Sequence, residues 1–227
     1  MAEDSGQRSE GRQLFCRVIT PEEVIYDGET NLVIGAGSVG LFTVAALRHL
    51  TNADRIICIA KHARQREEAL RLGANEVVAP GETYTKLPKM LGTEAYKPEL
   101  GKPVVMGGAD RVYECVGAPA TMEDAVRLTK PGGEATLVGM PAAKSSLDLT
   151  ALWYKEVGLT GSYAYGAEAH EEEKTTSFAL ALRLAPEIDL ERMVGPRFPL
   201  GEYREAIAAA RAAGREGNIK VVFDHRG

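Results

Sequence analysis

The feature that most constrains the fold of this chain is the stretch NLVIGAGSVGLF at residues 31–42. Its apolar start predicts a buried strand, and residues 38–50 have the spacing of an amphipathic helix. Between them, Gly35, Gly37 and Gly40 match the G-x-G-x-x-G pattern of a dinucleotide-binding turn. In that pattern the first glycine permits the tight turn, the second lets the backbone approach a pyrophosphate, and the third lets helix and strand pack closely. The alternative is a glycine-rich turn that serves helix–strand packing alone.

The same alternation of apolar strands and helices continues along the chain. Helical spacing predicts helices over 63–73, 83–91 and 119–129. Near-continuous apolar strands that alternate with helices are typical of a parallel sheet covered on both faces. We therefore predict an α/β fold, a Rossmann-type doubly wound parallel sheet of six strands with a C-terminal helix–strand extension. The other predicted strands are 55–60, 75–80, 111–117, 134–140 and 157–166, and the extension contains helices over about 171–184 and 201–213 and a closing strand over 218–224.

Composition narrows the possible partners and the location. A chain of 227 residues with 44% hydrophobic residues can bury one substantial core, which predicts one domain over 27–227 and a polar tail over 1–26. The formal charge of −5 and the absence of a basic amphipathic stretch predict no nucleic-acid partner and no membrane partner. Three widely spaced cysteines and the lack of a signal-like apolar stretch favour a reducing, cytoplasmic location.

The end of the second predicted strand carries information about the cofactor. A dinucleotide site that prefers NAD has an acid about twenty residues after the glycine turn, where it binds a ribose hydroxyl. This chain has Ala60 there, followed by Lys61 and Arg64. A missing acid with added basic groups is what a 2′-phosphate needs, so we predict NADP(H) first and NAD(H) second. The alternative is that these charges are simply solvated.

Six linked segments resemble the medium-chain dehydrogenase/reductase family, the zinc-type alcohol and threonine dehydrogenases. The similarity runs from about residue 27 to the end of the chain and follows the cofactor-binding domain of that family. The resemblance implies a strand order 3-2-1-4-5-6, a nicotinamide cofactor along the carboxyl ends of the strands, and a homodimer that pairs near residues 157–164. The segments are GETNLVIGAGSVGL, LRLGANEVVAP, ADRVYECVG, AVRLTKPGGEATLVGMP, VGLTGSYAYG and FPLGEYREAIAAA with the following GNIKVVFD.

The resemblance also implies roles for the residues that match these motifs. The alternative for Val116, Val138 and Met140 is that they are ordinary core residues. The alternative for Lys220 is that it is a solvated strand residue. The implied cofactor contacts are Gly35, Ala36, Gly37, Ser38, Val39 and Gly40 at the pyrophosphate, Lys61 and Arg64 at the adenosine ribose, Val116 and Gly117 beside the cofactor, Val138, Gly139 and Met140 under the nicotinamide, Tyr163 and Ala164 at its carboxamide, and Lys220 at the pyrophosphate.

The catalytic half that the resemblance implies is not recognisable in the sequence. Family members carry zinc ligands and a proton relay ahead of the cofactor domain, whereas about thirty residues precede the first strand here. Three cysteines cannot supply a four-thiolate zinc site, and the four histidines are scattered, so we expect no zinc in this chain and assign no catalytic residue. The tail over 1–26 is then a remnant of a catalytic domain.

We therefore predict the cofactor domain of an NAD(P)-dependent, alcohol or threonine dehydrogenase-like oxidoreductase, which needs a separate catalytic domain or chain. A non-catalytic NADP(H)-binding sensor and a truncated remnant remain alternatives. A methyltransferase is a third alternative, since such folds also use a glycine-rich first turn. Its nucleoside would require an acid at the end of the second strand, where this chain has Ala60.

Overall fold

The computed structural model describes residues 28–99, 101–170 and 173–226. The strands in chain order are β1 Thr30–Ile34, β2 Arg55–Ile59, β3 Glu76–Val78, β4 Ala95–Tyr96, β5 Val104–Val105, β6 Ala109–Glu114, β7 Thr129–Leu137, β8 Gly158–Gly161, β9 Ala167–His170, β10 Glu173–Thr176, β11 Val194–Phe198 and β12 Lys220–Phe223. The helices are α1 Ser38–Leu50, α2 Ala63–Arg71, α3 Thr83–Met90, α4 Pro119–Leu128, α5 Thr150–Tyr154, α6 Ser177–Leu184 and α7 Tyr203–Ala212.

Six of these strands form one parallel sheet in the order β3-β2-β1-β6-β7-β8. Successive side chains of β1 point to opposite faces, so Val33 enters one core while Leu32 and Ile34 enter the other. Helices α1 and α2 cover the first face, and α3 and α4 cover the second. Since β6, β7 and β8 are the fourth, fifth and sixth strands of this sheet along the chain, the observed order is the implied order 3-2-1-4-5-6. The prediction of a six-stranded, doubly wound α/β fold and the implied strand order are both confirmed.

The predicted helix over 171–184 is wrong at its beginning. Helix α6 begins at Ser177, because Thr176 caps it by accepting a hydrogen bond from the N–H of Ala179 at 3.2 Å. The residues before the cap pair instead as the antiparallel strands β9 and β10. Consecutive β-branched threonines, Thr175 and Thr176, favour this extended backbone over a helix.

Short features of the fold, β11 among them, have no counterpart in the sequence predictions. Residues 80–108 contain the expected helix α3, but they also contain the antiparallel pair β4 and β5. The five-residue helix α5 precedes β8. Elements of two to five residues are too short to show a hydrophobic period, so they cannot be recognised from the pattern alone.

The C-terminal extension folds back onto the sheet. Strands β11 and β12 pair in parallel, and α7 packs against them. The Ser38 Oγ at the start of α1 lies 3.4 Å from the carbonyl oxygen of Ile219, immediately before β12. The extension therefore reaches the edge of the sheet at which the glycine turn lies. The predicted tail over 1–26 lies outside the described residues.

A buried lysine stabilises the end of the sheet at which the strands begin, opposite the glycine turn. Lys155 is 2% exposed, and its Nζ donates hydrogen bonds to the carbonyl oxygens of Gly107 at 2.9 Å, Arg127 at 2.7 Å and Thr129 at 2.7 Å. Burial, with a smaller contribution from the positive charge of Arg127, lowers the pKa of Lys155 to about 8. The ammonium thus joins the end of α4 to the segment just before β6 and to the first residue of β7. No helix in the described part of the chain is long and apolar enough to cross a membrane.

Candidate functional site

The three glycines of the first turn differ in why they are glycine. Gly35 has a φ of +96°, and a Cβ on it would lie 2.4 Å from Cγ2 of Val116. A Cβ on Gly40 would lie 1.8 Å from the carbonyl oxygen of Gly35. The chain's own backbone therefore requires glycine at both positions, the first for the turn and the third for the close approach of α1 to β1.

Gly37 has no such internal reason. Its φ of −76° and ψ of −173° suit any residue, and no heavy atom lies within 4 Å of the position that a Cβ would occupy. It is exposed at the N-cap of α1, and the first intrahelical bond runs from the N–H of Leu41 to its carbonyl at 2.9 Å. The N–H groups of the first helical turn therefore lack intrahelical acceptors and face the open space beside Gly37. This space fits a bound anion such as a pyrophosphate.

The other side of the candidate site, across from the glycine turn, is formed by the segments that follow β6 and β7. A Cβ on Gly117, whose φ is +79°, would lie 2.4 Å from the carbonyl oxygen of Met140, and one on Gly139 would lie 2.3 Å from the nitrogen of Gly117. The two chain segments after the strands thus touch backbone to backbone. Val116 and Met140 are 50% and 80% exposed, so the ordinary-core alternative is wrong for both, whereas Val138 is half-buried against the core.

A buried carboxylate shapes the turn after β6. Glu114 is fully buried, and its Oε1 accepts hydrogen bonds from the N–H of Val116 at 2.8 Å, the N–H of Gly117 at 2.9 Å and the hydroxyl of Thr121 at 2.8 Å. These donors occupy the carboxylate, so it serves to fix the turn and not as a general base.

The segment after β2, residues 60–64, forms what we call the ribose corner. Ala60 is fully buried, and its N–H donates to the carbonyl of Val78 at 3.0 Å, so the missing acid is replaced by a residue of the core. Lys61 is exposed. Arg64 lies in the first turn of α2, where its Nη2 is 3.0 Å from Oε1 of Glu68. Lys61 and Arg64 therefore differ, because the first faces solvent and the second has a partner within the protein.

The remaining predicted contacts lie at the same edge of the sheet. Tyr163 and Ala164 follow β8 and are exposed, and Ala164 has a φ of +58°. Lys220 is exposed beside Ile219, which the start of α1 contacts. Because the six strands are parallel, their carboxyl ends share one edge, and this edge brings together the glycine turn, the ribose corner and the segments after β6, β7 and β8.

Two residues near the ribose corner were missed by sequence reasoning. Glu68 is fully buried on α2, and Arg192 lies in the short turn Leu190–Met193 before β11. The Arg64 Nη2 donates to the carbonyl of Arg192 at 3.3 Å, across 128 positions of sequence. The i,i+4 spacing of Arg64 and Glu68 was a readable signal for an ion pair, but no local pattern points to Arg192.

The described residues do not fit a metal. Within ranges 28–99, 101–170 and 173–226, no group of three or more histidine, cysteine or acidic residues is placed to hold an ion. Burial raises the pKa of the Cys58 and Cys115 thiols to about 12, which opposes the thiolate form that zinc requires. No part of a reaction can be assigned to zinc held by these residues, and the absence of zinc from the whole chain stays a prediction.

Comparison with known proteins supplies the context of this site. The family model described as zinc-binding dehydrogenase matches residues 38–182. An L-threonine 3-dehydrogenase of Saccharopolyspora erythraea is 29% identical over 87% of this chain and 51% of its own length. An L-idonate 5-dehydrogenase of Vitis vinifera is 28% identical over 86% of this chain and 50% of its own length.

A solved structure has a similar fold. The zinc-binding dehydrogenase of Sinorhizobium meliloti 1021 bound to NADP has a TM-score of 0.62 and 27% identity over 87% of this chain and 53% of that chain. This chain therefore spans about half the length of the relatives that it matches.

Proposed function

The chain belongs to the zinc-binding dehydrogenase family, and from this membership we propose that it binds NADP(H) as the cofactor domain of an alcohol dehydrogenase-type oxidoreductase. The observation that carries the proposal is Gly37, a glycine that neither its backbone angles nor any neighbouring atom requires. A residue without a side chain beside a helix N-terminus suits the close approach of a pyrophosphate. The relative of known structure that binds NADP supports the choice of ligand.

Different residues at the carboxyl ends of the strands would bind different parts of the cofactor. The backbone of residues 35–40 and the dipole of α1 would bind the pyrophosphate, together with Lys220. Lys61 and Arg64 would bind the adenosine 2′-phosphate and so favour NADP(H) over NAD(H). Val116, Val138 and Met140 would form an apolar wall for the nicotinamide, with Gly117 and Gly139 allowing its close approach and Tyr163 and Ala164 meeting its carboxamide.

When bound, the nicotinamide supplies hydride transfer to or from an alcohol or carbonyl substrate. Such a reaction also needs a group that positions the substrate and moves its proton. The described segments after β6 and β7, beside which the nicotinamide would lie, offer backbone and apolar groups, and the buried carboxylate there, Glu114, is occupied by three donors. We propose that a separate catalytic domain or chain supplies substrate binding, which accords with a chain that spans half the length of its relatives.

We also propose that the chain forms a homodimer through β8. This strand is an edge strand of the six-stranded sheet, and Trp153 in the preceding helix α5 is 79% exposed. A strand edge of this kind is a template for pairing with another strand. Light scattering over a range of protein concentrations should give twice the mass of the chain, and a monomer throughout would contradict this assignment.

The test of cofactor binding is a fluorescence titration of the purified chain with NADPH and, in parallel, NADH. We expect binding, with NADPH preferred. Gly37→Ala should weaken both cofactors by at least about tenfold, because the new methyl group occupies the space of the pyrophosphate, while the free energy of unfolding changes by no more than about 1 kcal/mol.

The matched control is Gly201→Ala, at another glycine whose added Cβ would meet nothing within 4 Å. This variant should bind both cofactors as the unmodified chain does. Unimpaired binding by Gly37→Ala would refute the assignment of the glycine turn, and failure of the unmodified chain to bind either cofactor would refute the proposed function.

A further inference from the structure

A buried carboxylate gathers three arginine side chains beside the ribose corner. Glu68 is fully buried on α2. Its Oε1 lies 3.0 Å from Nη2 of Arg64 and 3.4 Å from Nη2 of Arg192, and its Oε2 lies 2.5 Å from Nε of Arg71. Because Arg64 and Arg192 contact the same oxygen, their guanidinium groups are neighbours. We call these four residues the Glu68 cluster.

The cluster fixes the backbone that carries Arg192 and leaves its side chain accessible. The Arg71 Nη1 donates to the carbonyl of Ile188 at 2.8 Å, and the Arg64 Nη2 donates to the carbonyl of Arg192 itself. The next residue, Met193, is 3% exposed and packs in the core. The side chain of Arg192 is nevertheless 49% exposed. It is therefore held at a defined place with part of its guanidinium group open to a ligand.

The Glu68 cluster carries an excess of positive charge. Three guanidinium groups surround the single carboxylate of Glu68, and the acid that pairs with Arg64 on the same helix, Glu67, is 66% exposed and lies 3.5 Å from Nη1 of Arg64. Nη2 of Arg71 is buried without a hydrogen-bond partner. The exposed Lys61 adds a further positive charge at the ribose corner. A phosphate dianion is the ligand that complements this arrangement, since guanidinium groups match phosphate oxygens in geometry and charge.

We propose that Arg192 is a further 2′-phosphate-binding residue, placed beside Arg64 by Glu68, and that it helps to set the preference for NADP(H). The inference rests on the proposed function, namely that the chain binds a nicotinamide dinucleotide at the glycine turn. It extends the ribose corner beyond the segment after β2. The specificity site is then built from two distant parts of the chain, α2 and the turn before β11.

The test compares ligands that differ only in the 2′-phosphate. Isothermal titration calorimetry of the full chain with NADPH, NADH, adenosine 2′,5′-bisphosphate and AMP separates binding of this phosphate from that of the nicotinamide. Arg192→Ala and Arg192→Gln should each weaken NADPH and the bisphosphate by about tenfold, the effect of losing one charge-assisted hydrogen bond, and leave NADH and AMP within about twofold.

Arg197→Ala is the matched control. Arg197 is 45% exposed on the same extension and lies 3.9 Å from Glu191, so its loss removes a comparable surface charge that is not one of the four residues of the cluster. This variant should bind NADPH as the unmodified chain does. If Arg192 served only to stabilise the fold, its variants would change the melting temperature without changing the ratio of NADPH to NADH affinity.

Three results would overturn the inference, and they are distinguishable. Unchanged NADPH binding by both Arg192 variants, or equal losses for NADPH and NADH, would remove Arg192 from the phosphate site and leave the proposed function standing. Equal affinity of the unmodified chain for NADPH and NADH would show that no 2′-phosphate site operates. Failure of the unmodified chain to bind any of the four ligands would refute the proposed function as well.

Discussion

Replacement of the buried Lys155 by methionine should destabilise the fold without weakening the cofactor site. The ammonium group donates to three carbonyl oxygens at 2.7 to 2.9 Å. A buried carbonyl that loses its donor costs about 1–3 kcal/mol, so the three together cost about 6 kcal/mol. Removal of the buried charge returns part of this, because a pKa lowered from 10.5 to about 8 corresponds to a burial penalty of about 3 kcal/mol.

The expected net loss for Lys155→Met is therefore about 3 kcal/mol in the free energy of unfolding, measured by urea denaturation. Lys144→Met, at an exposed lysine of the loop after β7, is the control and should change stability by less than about 0.5 kcal/mol. NADPH affinity should be unchanged, since Lys155 contacts the segment before β6 and the first residue of β7, at the end of the strands opposite the proposed cofactor site. A loss below about 1 kcal/mol would refute the reasoning from the three carbonyl groups.

The lowered pKa of Lys155 also predicts a pH dependence with a definite sign. Between pH 8 and 10.5 the unfolded chain binds more protons at this lysine than the folded chain does, so raising the pH through this window stabilises the fold. From pH 7 to pH 9.5 the gain is about 2 kcal/mol, and it should be absent in Lys155→Met. The difference between the two proteins is the quantity to measure, because cysteines and tyrosines titrate in both. A constant difference would contradict the assignment.

Three further predictions concern the cofactor edge. Gly40→Ala should destabilise the fold by at least about 3 kcal/mol in urea denaturation, because its Cβ would lie 1.8 Å from the carbonyl oxygen of Gly35, whereas Gly81→Ala, which would meet nothing within 4 Å, should not. Combined Lys61→Ala and Arg64→Ala should weaken NADPH by at least about tenfold more than NADH in the fluorescence titration, and equal losses would remove both residues from the 2′-phosphate site. The purified chain should be inactive with a panel of alcohols and aldehydes, and clear turnover would contradict the need for a separate catalytic part.

Much of the fold could be predicted from the sequence because its signals are local. Helix α2 occupies 63–71, within the predicted 63–73, and α3 and α4 lie within one residue of their predicted ends. Their hydrophobic period is set by residues three and four positions apart, which any reading of the chain can recognise. Helix α6 was predicted too long, since the competing strands β9 and β10 depend on pairing between segments and not on the period of either one.

The candidate site was predictable to the same extent and for the same reason. The spacing of three glycines after an apolar strand is a local signal, and it predicted the turn that the structure contains. The spacing could not separate their roles, because the roles depend on which atoms come near each glycine. In the structure Gly35 and Gly40 contact the chain itself, whereas Gly37 faces open space.

The sequence by itself determined the alternation of the main strands and helices, the position of the glycine turn and the basic residues after β2. Each follows from residue types and spacings within about fifteen positions of chain. Only the tertiary structure decided that Ala60 is a core residue, that Lys61 faces solvent, and that Arg192 meets Arg64 across 128 positions. The physical reason is that burial and ion pairing depend on how distant segments pack, and packing brings together residues that no local pattern connects.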